Sequence, residues 1–154
     1  MEPVPVAPHL DLEALRQRRA ELRESIDALE QALAAPAPGR VEAWGERVHV
    51  ALVELSGDFR QHIEVTEGPH GLYGGVLTSA PRLSNAVTRL TREHADINGL
   101  LEDLLARLSG SANTDRVEDI RGQGTLLLDR LIRHRQRGAD LVYEAYQADV
   151  GGET

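Results

Sequence analysis

The chain reads as an all-α protein, an antiparallel up-down-up-down four-helix bundle, and three observations lead there. Four long segments each carry a single apolar stripe at steps of three and four residues, the spacing of one helical face. Aromatic residues make up only 3% of the chain and β-branched runs are scarce, which disfavours a sheet. Short stretches of turn formers separate the segments, and short connections make consecutive helices antiparallel neighbours.

The totals set bounds on this reading. A length of 154 residues holds one domain with its own core. A net charge of −8 argues against a nucleic-acid partner, because affinity for phosphates needs clustered Lys and Arg. With no cysteine there is neither a disulfide nor a thiolate ligand, so a metal would have to be held by histidine and carboxylate. The start, MEPVPVAPHLDL, lacks the basic and apolar regions of a signal peptide, and no apolar run approaches the roughly 20 residues of a membrane span. A cytoplasmic chain with no membrane partner is the expectation.

Residues 1–10 contain three prolines and are expected to form a flexible leader in which His9 is solvated. The bundle is expected over 11–150. Asp11 is a plausible cap for the first helix, whose stripe is Leu12, Leu15, Leu22, Ile26, Leu29 and Leu33 with Arg19 in the remaining seam position. Pro36-Ala37-Pro38-Gly39 ends it. The second helix should run from about Val41 to Glu67, with Val48, Leu52, Leu55, Phe59 and His62 on its stripe. Gly68-Pro69-His70-Gly71 stops it, residues 72–77 read as a short, glycine-punctuated connection, the Gly-rich stretch 68–75 reads as a mobile gate, and Pro81 opens the third helix. That helix carries Leu83, Val87, Leu90, Ile97, Leu101, Leu104 and Leu108, and His94 fills the one vacancy in its stripe. After the loop around residues 109–113, Thr114 or Asp115 suits the cap of a fourth helix, on which Val117, Ile120, Leu127, Leu131, His134, Leu141 and Ala145 share a face with Gly124 and Gly138.

Three helices thus carry a histidine where a leucine belongs. Reflecting antiparallel neighbours through their loops, near residues 74 and 112, puts His62, His94 and His134 within about eight residues of one another along the axis, roughly 12 Å. A lone seam histidine is ordinarily a core residue with one hydrogen bond. Three on different helices at similar height point to one polar pocket, and converging imidazoles in a bundle are a known way to hold a metal.

The segment Leu90-Thr-Arg-Glu-His94-Ala-Asp-Ile97-Asn-Gly-Leu-Leu101 resembles a helix of hemerythrin-like domains. Residues 127–149, LLDRLIRHRQRGADLVYEAYQAD, resemble the last helix of that family, and 52–73, LVELSGDFRQHIEVTEGPHGLY, an earlier one. The resemblance covers about 41–150, with His62, His94 and His134 at ligand positions. It implies a non-haem di-iron site in a four-helix bundle, of the kind used for dioxygen binding, oxygen or redox sensing, iron handling or peroxide chemistry. A site reduced to one iron would have open positions for dioxygen, peroxide or nitric oxide. There are departures. The family places a carboxylate four or five residues after the ligand histidine on two helices; after His62 these positions are Thr66 and Glu67, and after His134 they are Gly138 and Ala139. The first helix supplies no histidine, and Arg19 stands near the computed height of His94. The implied ligand set is therefore His62, Glu67, His94 and His134, suited to one metal ion more than to a di-iron pair.

Other candidates have simpler expectations. His49, thirteen residues before His62 and about 20 Å away on the same helix, belongs to the surface. His70 is a loop residue that could reach over the end of the bundle. Tyr73, Tyr143 and Tyr146 should pack with wet hydroxyls, Tyr143 having some prospect as a phenolate ligand. The alternative to a metal protein is a metal-free descendant, its histidines and Arg19 forming a buried hydrogen-bonded network in a partner-binding, small-molecule-binding or homodimeric protein. A third possibility is an enzyme using His62 or His134 as general base.

Overall fold

The computed structural model describes residues 12–109 and 114–148. The leader at 1–10, Asp11, the loop at 110–113 and the closing glycines lie outside the described residues, as do the side chains of the two candidate caps Thr114 and Asp115. Among the described residues the structure is all-α: α1 (Leu12–Ala34), α2 (Val41–Glu67), α3 (Leu72–Ser79), a 3₁₀ turn (Pro81–Leu83), α4 (Ser84–Leu108), α5 (Thr114–Val142) and a π-helical turn (Tyr143–Ala148). No described helix is long and apolar enough to cross a membrane.

The four long helices bury the central part of each stripe read from the sequence, while Leu15, Leu83 and Leu108 are half-buried and Arg19 is exposed. Leu22, Ile26, Leu29 and Leu33 of α1, Val48, Leu52, Leu55 and Phe59 of α2, and their counterparts on α4 and α5 form one core. Polar pairs fix the relative sense of neighbours. Arg18 donates to Gln61 and Ser25 to Asp58, so α1 and α2 run in opposite directions. Glu93 meets Arg137 while Arg107 meets Asp119, which gives α4 and α5 the same relation. Arg121 closes the end of α1 by donating to the carbonyls of Leu33 at 3.0 Å and Ala35 at 2.9 Å, and its guanidinium lies 5.4 Å from the centre of the Trp44 ring. The turn after α1 needs Gly39, whose φ of +76° suits glycine.

Residues 72–77 are not the irregular connection the glycines suggested. They belong to α3, which packs Leu72, Tyr73 and Val76 against Val87, Leu90, Leu141 and Ala145 in a second, smaller core. Two glycines in a helix interior cost about 1 kcal/mol each, whereas burying three large apolar side chains contributes about 1.5–3 kcal/mol each, so tertiary burial overrides local propensity. Gly71 permits this docking: a Cβ there would stand 2.6 Å from the Thr66 carbonyl oxygen and 2.9 Å from that of Val65. Pro81 opens the 3₁₀ turn, and α4 itself begins at Ser84.

Candidate metal centre

The seam histidines separate the two cores. On α4, His94 lies between Leu90 of the smaller core and Ile97 of the larger; on α5, His134 lies between Leu131 and Leu141 in the same way. A polar layer thus interrupts an otherwise apolar bundle. His94 and His134 are 2% and 1% exposed, and His62 is half-buried.

The three rings meet. Their centroids are 5.1 Å apart for His62 and His94, 5.3 Å for His62 and His134, and 4.8 Å for His94 and His134. One ligand atom from each falls within 4.8 Å of the other two. Phe59, one turn before His62, lies against all three, its ring centre 5.6 Å from His62 and His94 and 6.1 Å from His134. The sequence-based offset of roughly 12 Å is therefore too large. It took residue 74 as the midpoint of a symmetric connection, whereas α3 and the 3₁₀ turn occupy residues 72–83 and move the midpoint towards α4.

Carboxylates set the tautomers of the two buried rings. His134 donates from Nδ1 to Glu93 at 2.9 Å, and His94 donates from Nδ1 to Glu67. A neutral imidazole holding its proton on Nδ1 presents the lone pair of Nε2. His62 Nε2 lies 3.2 Å from His134 Nε2, so His62 is the donor of that pair, and the Tyr73 hydroxyl donates to His94 Nε2 at 3.3 Å. Glu93 also meets Arg137 and Arg89, which holds its carboxylate in place.

Burial keeps these imidazoles neutral. The pKa of His62 is lowered to about 3, by desolvation first and then by the neighbouring His134, His94, Arg19 and Arg135. That of His94 is lowered by desolvation against the opposing pull of Glu67. His134 is lowered by desolvation, with Glu93 opposing. Burial likewise pushes the Tyr73 hydroxyl above its ordinary range.

Of the expected ligands, His62, His94 and His134 come together. Glu67 stands on the Nδ1 side of His94, outside the three-histidine group. His49 and His70 are exposed, Tyr143 is 56% exposed, and none belongs to that group. Tyr73 differs from its expectation: it is 5% exposed and its hydroxyl contacts a histidine, because α3 carries it inward. Glu93 stands in the segment that carries the family resemblance, but the sequence reading assigns it no role. It precedes His94 by one residue and so flanks the seam, from which position a carboxylate reaches the facing helix.

A cavity of about 600 Å³ adjoins the layer, with His62, His134, Thr66 and Tyr73 in its wall. Gly138 and Ala139 line it too, and a Cβ on Gly138 would meet no atom within 4 Å. Arg16, Arg18, Arg19 and Arg135 complete its polar lining. Comparison of the chain with protein families, with curated proteins and with solved structures finds no match.

Proposed function

We propose that the chain is a hemerythrin-like bundle that holds one non-haem metal ion, iron, on His62, His94 and His134. The observation that carries this reading is the meeting of three ligand atoms from three helices within 4.8 Å. Nitrogens sharing an ion at bond lengths of about 2.1 Å stand about 3.0–3.4 Å apart, and the His62–His134 spacing of 3.2 Å falls in that range. The widest pair would close by about 1.5 Å. Glu93 and Glu67 fit the role of carboxylates behind metal-bound histidines, orienting the rings and raising their basicity. On this reading Glu67 positions His94 and does not itself coordinate. A single ion is favoured because positions 138 and 139 offer no donor and Arg19 and Arg135 act electrostatically on His62.

Bound iron would supply a Lewis-acidic, redox-active centre for dioxygen, peroxide or nitric oxide. The chain's own part is to hold three neutral imidazoles, to exclude water with Phe59 and the two flanking cores, and to leave access from the cavity side. The metal-free alternative has an observation of its own: the His62–His134 and Tyr73–His94 hydrogen bonds satisfy the rings without an ion.

Metal analysis of tag-free protein, followed by anaerobic Fe(II) titration, separates the two. About one iron per chain, lost in His94→Ala, is expected. Protein that purifies without metal, takes up no Fe(II) and melts at the same temperature with and without chelator would overturn the proposal.

A further inference from the structure

The cavity beside the histidines has a lining at odds with the rest of the molecule. The chain carries 25 acidic residues against 17 basic ones, yet the wall contains four arginines and no Asp or Glu. Arg18 is neutralised by Glu21 at 2.9 Å. Arg19 and Arg135 form no salt bridge within 4.0 Å with a described residue; they lie close enough to His62 to influence it, and Arg135 feels the repulsion of Arg23 and Arg19 against the attraction of Asp27, which is not part of the cavity wall. Arg19, which falls between Leu15 and Leu22 on the stripe of α1, is exposed where it lines the cavity and is not part of the buried seam the sequence assigned it to. Cations gathered at one end of a cavity whose wall holds no carboxylate are a recognition element for an anion.

The remainder of the wall is apolar. Leu15 lies one turn before Arg19 on α1, and Val142 lies two turns after Arg135 on α5, with Leu72 and Tyr146 alongside. The contacts of Arg121 with the far end of α1 show that α1 and α5 run in opposite senses, so both apolar sets lie on the same side of the arginine pair. A volume of about 600 Å³ is in the range of small-molecule sites.

We infer that this cavity binds an amphipathic organic acid, its carboxylate held between Arg19 and Arg135 and its aliphatic body lying along Leu15, Leu72, Val142 and Tyr146. The inference does not rest on the metal, since every group it uses belongs to the chain. It also explains the absence of side chains at Gly138 and of a long one at Ala139, where bulk would fill the cavity.

The test is calorimetric titration of the full chain, first treated with chelator, with octanoate, 1-octanol and acetate. Octanoate is expected to bind at least about tenfold more tightly than either of the others, because it alone has both head and tail. In Arg19→Gln/Arg135→Gln the octanoate affinity should fall to that of octanol, while octanol binding stays the same. Gly138→Leu, whose side chain enters open space, should abolish binding with no loss of melting temperature. Should Gly138→Leu fail to fold, the arginine double variant decides. Equal affinities for octanoate and octanol, no octanoate binding by the folded chain, or a double variant that retains the preference would overturn the inference. Octanoate binding by a chain that takes up no iron would leave this inference standing and remove the metal proposal; the converse result would do the opposite.

Discussion

Acidification should destabilise the metal-free protein, and His62 sets the scale. Its pKa is lowered to about 3 in the folded chain, against 6.5 when unfolded. Between those values the unfolded chain binds the proton and the folded chain does not, so the stabilising contribution is complete above about pH 6.5 and falls as the pH drops towards 3. For these two values the linkage relation gives a loss of about 2 kcal/mol between pH 7 and pH 5 from His62 alone. His94 and His134 are shifted in the same direction and add to it. A domain of this size has about 5–15 kcal/mol in total, so the effect is a large fraction of it. Urea unfolding followed by circular dichroism at pH 7 and pH 5, with chelator present, should show the midpoint moving down by roughly 1 M or more. His62→Phe keeps a ring against Phe59 and removes the titrating group, so it should recover about 2 kcal/mol of the pH-dependent loss. A wild-type midpoint that does not change over this range, or a variant with the same slope as the wild type, would refute the claim that burial holds this imidazole neutral.

Three further outcomes follow from particular contacts. Glu93→Gln removes the anionic acceptor behind His134 and should weaken metal binding by about 10- to 100-fold, read by competition with a chelating dye. Gly71→Ala places a Cβ against the Thr66 and Val65 carbonyls, so α3 must shift; a loss of about 1–3 kcal/mol is expected in urea unfolding, together with a changed Tyr73 environment in near-ultraviolet circular dichroism. Arg121→Ala removes two hydrogen bonds to the end of α1 and the cation above Trp44, and should cost about 1–3 kcal/mol with a shift in tryptophan fluorescence.

Much of the candidate site was legible along the chain because helical periodicity is a local property. His94 takes the place of a leucine between Leu90 and Ile97, and that substitution is visible without knowing what faces it. His62 and His134 are visible for the same reason. Glu93 was not, since its function lies across an interface: its partner His134 is 41 residues away, and only the approach of α4 to α5 joins them. Tyr73 was hidden in a stretch whose glycines argue for a loop. Its burial depends on the fit of α3 over the end of α2, a close approach that Gly71 allows. The cavity was likewise out of reach, because Arg19, Arg135 and Gly138 become one wall only when α1 meets α5.

By itself, the order of residues determined the helical class, the four stripes and the identity of three histidines set into them. Apolar spacing and helix breakers act within a few residues of one another, so these features need no knowledge of the rest of the molecule. Tertiary packing decided the rest: the depth at which the imidazoles meet, which nitrogen of His94 and His134 keeps its proton, the helical form of residues 72–79, and an acid-free pocket in an acidic protein. Those properties depend on burial and on distances between segments far apart in the chain, and burial is settled only once the helices are in place.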